Sequence, residues 1–190
     1  MIGAIENAII AKIQAASDAS ALGYRFKTVE SFGQTITPDN LRRSTQSFPA
    51  ALVVFAGEPR PTDGPGGKTR HSPMFTIFLC QKNRRGDGSS RSGKDGKVGT
   101  YQMIEDVRGL LSEQTLGLAI DPIKPGAVRS VMQDDGPSIY ALELHVGYDA
   151  NPRLADSATL DDFATLNADW DVPVDGTIDA TDTITLETLP

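Results

Sequence analysis

Acidic residues crowd the C-terminal end of this chain, and that crowding limits where a core can form. From Asp149 to Pro190 ten acidic residues stand against one basic residue, Arg153, a formal charge of about −9. The preceding 148 residues are nearly balanced, at about +2. After Tyr148 no long apolar run remains; there is one short helical patch at 159–166, a lone Trp170, and then VPVDGTIDATDTITLETLP. Such a segment buries too little apolar surface to offset the entropy of ordering it. The sequence therefore predicts a core domain over 1–148 and an acidic extension over 149–190 that lies on another surface or stays mobile.

The core reads as an ordered series of elements. Ile2, Ile5, Ile9 and Ile13 form one apolar stripe, which predicts a helix over 2–20 closed at Gly23. Residues 24–29 alternate as a half-buried strand. Thr37-Pro38-Asp39-Asn40 is a helix start: a capping hydroxyl, proline in the first turn, and an acid at the positive end of the dipole. Ala50–Ala56 suits a central strand. Residues 58–71 read as a Pro/Gly loop. In 73–81, Phe75, Ile77 and Leu79 alternate with Thr76, Phe78 and Cys80, so both faces need cover, from the core and from a neighbouring subunit.

A second helix is expected over 98–113, with Tyr101, Ile104, Val107 and Leu111 on its stripe. Pro122, Pro125 and Gly126 break the chain before a strand near 127–133. Asp134–Pro137 then turns into a last strand, 138–148. There Tyr140, Leu142, Leu144, Val146 and Tyr148 share one face, and Glu143 and His145 the other. The predicted class is α/β of the α+β type: a mixed, largely antiparallel sheet of four to five strands with two main helices on one face.

Motifs for chemistry are weak. Gly66-Gly67-Lys68-Thr69 resembles the end of a phosphate loop, but Thr62 occupies the first glycine position and a strand follows instead of a helix. Glu143 and His145 could share a metal with His71, yet a half-exposed strand face explains them equally well. Cys80, the sole cysteine, reads as a small buried hydrophobe rather than a nucleophile. Asp134-Asp135 and Asp161-Asp162 have local explanations, as a turn and as helix N-terminal charge. No catalytic, metal or cofactor site is expected, and no enzyme. No stretch has the length and apolarity to span a bilayer, and the first residues carry no basic leader, so a soluble protein made in the cytoplasm is expected.

The remaining feature is a run over 82–97 with six basic residues, Lys82, Arg84, Arg85, Arg91, Lys94 and Lys97, set among Gly and Ser. It reads as a mobile loop with three alternatives: a solvated loop, a site for an acidic protein partner including the tail of a neighbouring copy, or a contact with passing nucleic acid. No aromatic residue interleaves to stack on bases. These cations, with Asp169, Trp170 and Asp171 of the extension, are the candidate interface residues.

Taken together, MIGAIENAIIAKI, PAALVVFAGE, GTYQMIEDVRGLL, IYALELHVGYD, and ADWDVP before the acidic end DATDTITLETLP resemble a family of Mu-like bacteriophage and prophage tail proteins of the tail-terminator, or tail-completion, type. The resemblance implies a small α/β protein that forms a ring, expected to be hexameric, at the head-proximal end of the tail tube. It implies as partners the protein itself, the tail tube protein, the head-completion or neck proteins and the sheath protein, with DNA only in passing and no membrane. Its place would be the virion tail, after assembly in the host cytoplasm.

Overall fold

The computed structural model describes residues 1–33, 37, 40, 47–82, 91–93, 98–132, 137–151, 165–170 and 180–185. The chain falls into two compact units, Met1–Asn151 and Pro152–Pro190.

The first unit is built on a five-stranded sheet. Its strands are β1 (Thr28–Ser31), β2 (Ala50–Gly57), β5 (Met74–Gln81), β7 (Ser138–His145) and β6 (Lys124–Met132), in that spatial order. β1 runs parallel to β2 and the other pairs are antiparallel, so the sheet is mixed as the sequence predicts. A parallel pair of consecutive strands requires a crossover connection. Within that connection the Asn40 N–H donates to Thr37 Oγ1 at 3.1 Å, the capping bond expected of a helix start; residues 38, 39 and 41–46 lie outside the described residues.

Two helices cover one face of this sheet: α1 (Ile2–Asp18) and α2 (Thr100–Leu111). Ile5, Ile9 and Ile13 of α1 and Met103, Val107 and Leu111 of α2 are fully buried against Phe75, Ile77, Leu79, Leu142 and Leu144. The helical period puts these side chains on one stripe, and the strand period sends alternate residues to meet them. α1 ends five residues before Gly23. Ser20 adopts φ 55° there, and the buried Ser17 hydroxyl accepts the Phe26 N–H at 2.9 Å. That bond helps fix residues 24–27 outside β1, which starts only at Thr28, later than the alternation suggests.

The other face of the sheet is also buried within the chain. Ala50, Leu52, Cys80 and Ile139 are fully buried there, with Phe78 nearly so, and Phe32, Phe48 and Val131 pack on them. Cover from a neighbouring subunit, the sequence expectation for β5, is not needed.

Three further differences share a cause: very short or edge strands carry little periodic signal. Residues 58–71 are not simply a loop. They hold β3 (Thr62–Asp63), a 3₁₀ turn at Pro65–Gly67, and β4 (Thr69–His71). The expected last strand breaks after His145 and resumes as β8 (Tyr148–Ala150), which pairs with β4 in a three-stranded sheet, so a boundary at 148 passes through β8. β6 starts at Lys124 and includes Pro125, which an edge strand with a bulge tolerates because no ladder donor is lost to a neighbour. The turn at Asp134 and Asp135 lies outside the described residues.

The second unit contains an antiparallel hairpin, β9 (Thr165–Trp170) with β10 (Ala180–Thr185). Thr165 and Leu166, assigned to a helical patch by sequence, are therefore extended; Asp161 and Asp162 lie outside the described residues.

Candidate functional site

The short strands build an ionic junction at one end of the first unit. Arg70 of β4 is held between Asp121 and Asp149, with Asp149 Oδ1 at 3.1 Å from one guanidinium nitrogen and Asp121 in direct contact with the other. Gly147 makes this possible. A Cβ at that position would sit 2.3 Å from the Arg70 guanidinium and 2.7 Å from the Asp121 carboxylate. The Gly147 carbonyl also accepts the Asp121 N–H at 2.7 Å. Asp149, counted by sequence with the acidic extension, thus neutralises a cation of the body.

The titratable residues considered for chemistry each have a structural partner. His71 Nδ1 lies 3.0 Å from Glu58 Oε1, and its ring stacks on Tyr148 with centroids 4.9 Å apart. Glu58 also accepts the Ser72 N–H, and burial together with the Glu58 charge raises Tyr148 above its ordinary pKa. Glu143 pairs with Arg129 at 3.2 Å across β7 and β6. The His145 ring lies over Gly126, where a Cβ would come within 2.6 Å of it. Among the described residues no group of three or more His, Cys, Asp or Glu could hold a metal ion. Cys80 is fully buried with its thiol directed at the Phe78 carbonyl, 3.8 Å away, the packing role read from its strand. Gly66 and Gly67 form the 3₁₀ turn that leads into β4, so no helix N-terminus is present to aim N–H groups at a phosphate.

The candidate interface cations separate into distinct settings. Lys82 is exposed at the end of β5. Arg91 lies beside the Tyr140 hydroxyl, which also faces Tyr101 in an edge-to-face pair 5.6 Å apart. Burial is the main cause of the raised Tyr140 pKa, and Arg91 opposes it. The backbone of 91–93 packs closely on Gly99, at the start of α2: a Cβ there would meet Arg91 O at 2.2 Å and Gly93 N at 2.3 Å. This part of the basic run packs on the start of α2. Arg84, Arg85, Lys94 and Lys97 lie outside the described residues. Asp169 and Trp170 belong to β9, where they pair with Thr181 and Ala180; Asp171 lies outside the described residues.

Lys82 also lines a groove that the sequence reading missed. At the end of the sheet, about 280 Å³ of space is bounded by Arg25, Lys27 and Lys82, with Tyr24, Phe48 and Val98 among its apolar walls. Arg25 donates to the Asp18 carbonyl at 3.1 Å and to Ser20 Oγ at 3.3 Å, both neutral acceptors. The groove is braced by the Gln81 amide, which donates to the Val98 carbonyl at 2.7 Å, and by the Lys27 N–H, which donates to the Pro49 carbonyl at 2.8 Å. The available signal was the alternation Tyr24-Arg25-Phe26-Lys27, which sets two cations opposite two aromatics; what hid it is that Lys82 arrives from a distant strand.

On the helix side, the Tyr24 hydroxyl and Asp106 Oδ2 are buried close together without a well-formed hydrogen bond. Burial, followed by the Asp106 charge, raises Tyr24, and burial is also the main cause of the raised Asp106 pKa.

Among the described residues no helix is long and apolar enough to cross a membrane. No curated protein matches the chain. A family model does, that of Bacteriophage Mu, Gp37, over residues 1–149, which takes in the five-stranded sheet, both helices and nearly all of the minor sheet. With most of its length so matched, this chain belongs to the Bacteriophage Mu Gp37 family.

Proposed function

We propose that this protein is a structural component of the phage virion, a tail terminator. It forms a ring on the head-proximal end of the tail tube, ends tube polymerisation there, and offers the surface to which the head joins. The observation that carries this reading is the match of the whole α+β body to a phage Mu family, joined in one chain to a separate acidic unit. A body with both sheet faces already filled has its edges, loops and extension left for partners. A contact between unlike patches of identical chains is heterologous, and a rotation that closes makes it a ring. The task is mechanical, resting on interface area and shape rather than on transition-state stabilisation. Its partners are other copies of the chain, the tail tube protein and the neck proteins.

Negative-stain microscopy of the protein, alone and with tail tube protein, tests this. Rings, or caps at one end of each tube, are expected, and phage lacking the protein should make tubes of uncontrolled length. A protein that stays monomeric on tubes, with tails of normal length in its absence, would remove the proposal.

A further inference from the structure

We propose that the groove bounded by Arg25, Lys27 and Lys82 receives the acidic C-terminal segment of a second copy of this chain. The inference rests on the assembly reading above and names the contact that would join neighbouring subunits.

Three observations converge on that occupant. The first is uncompensated charge. Arg70 meets the carboxylates of Asp121 and Asp149, and Arg129 meets that of Glu143. Around the groove, the described residues form no ion pair with Arg25, Lys27 or Lys82, and Arg25 donates only to neutral oxygens. A cluster of like charges without counter-charge favours an anionic partner.

The second observation is size and lining. About 280 Å³ lies below the roughly 300–1,000 Å³ of most small-molecule sites. It suits the side chains of an extended peptide. Tyr24, Phe48 and Val98 give it apolar walls between the charges.

The third is the chain's own composition. Asp171, Asp175 and Asp179 recur at every fourth position, with Val172, Pro173, Val174 and Ile178 between them. That segment carries the two chemistries the groove presents, acid for its cations and small apolar side chains for its walls. Groove and segment are different patches of one chain, so their contact between copies runs head to tail and repeats around a ring.

The test uses full-length chains and sedimentation velocity. One variant reverses the groove (Arg25→Glu, Lys27→Glu, Lys82→Glu) and another reverses the segment (Asp171→Lys, Asp175→Lys, Asp179→Lys). Arg25, Lys27 and Lys82 are exposed, and an unchanged melting temperature checks that each variant folds. Each alone should self-associate about tenfold more weakly or worse, and wild-type association should weaken as salt rises. An equimolar mixture should recover association, because each variant's segment then matches the other's groove.

A groove variant that associates like wild type overturns the inference and leaves the ring reading intact. Weakened single variants whose mixture does not recover also overturn it, since the segment then occupies its own chain. Loss of labelled duplex DNA binding with unchanged self-association would assign the groove to nucleic acid instead. A wild-type chain monomeric alone overturns the inference; only the same result on tail tubes overturns the ring.

Discussion

The unit Met1–Asn151 and the unit Pro152–Pro190 both contain antiparallel strands, but they reach stability by different means. In the first, β2, β5 and β7 each have a hydrogen-bonded neighbour on both sides and apolar cover on both faces. In the second, β9 and β10 pair only with each other among the described residues, over six residue pairs. An isolated two-stranded hairpin is marginal in water. Its register sets Leu166 opposite Ile184 and Trp170 opposite Ala180. The body is complete by itself, and the hairpin is the kind of element that gains stability from a surface it can lie on.

The comparison breaks most directly at its boundary. A chain ending after Asn151 is expected to keep a cooperative thermal transition and to lose assembly altogether, read by circular dichroism and by negative stain. The cut is placed there because β8 and the Asp149 contact to Arg70 belong to the body. An unfolded fragment would show that the second unit completes the core.

Within the body, Phe75→Ala should cost about 3–5 kcal/mol, since Phe75 is fully buried on the helix-covered face. For a chain of this size that lowers the melting temperature by about 10 °C or more. Leu166→Ala in β9 should leave that transition unmoved; a comparable fall would mean that the two units share one core.

Gly99→Ala should cost about 1–3 kcal/mol, the price of shifting backbone in a packed region. The added methyl would meet the main chain of Arg91–Gly93, which has no side-chain freedom to yield. Faster hydrogen exchange at 91–93 in the variant would report the undocking; unchanged exchange would contradict the close packing.

The smallest effect concerns pH. The Asp106 carboxyl is raised in the folded chain, chiefly by burial, so folding favours its protonated form. Its contribution is fully present below the unfolded carboxylate pKa and is lost as pH rises through the folded value. Asp106→Asn should therefore flatten the dependence of stability on pH in the acidic range, measured by urea unfolding at several pH values. An identical slope in both proteins would show that Asp106 is not the group responsible.

Long periodic elements could be read from the chain, and the ones that differ do so for local reasons. The Ile2–Ile13 stripe, the Ala50–Ala56 run and the alternation around Phe75 each repeat often enough to identify helix or strand. β3, β4 and β8 span two or three residues, too few for any period, and the β4–β8 ladder joins segments far apart in the chain. Pro125 and Gly126 look like chain breakers in isolation, whereas an edge position admits both to β6. The basic run at 82–97 drew attention as a block of charge, although Arg91 is engaged with Tyr140 and only Lys82 among its described cations lines the groove.

By itself the sequence determined the α+β class, the two helices, the central strands and the separation of an acidic end from a balanced body, because periodicity and charge are properties of neighbours along the chain. Tertiary structure alone decided which charges are neutralised and which are left facing outward. Arg70 is bound by acids far from it in sequence, and Lys82, beside the end of β5, meets Arg25 and Lys27 of the α1–β1 connection at one groove. Counter-charge acts through space over a few ångströms, so its pattern exists only once the strands have paired.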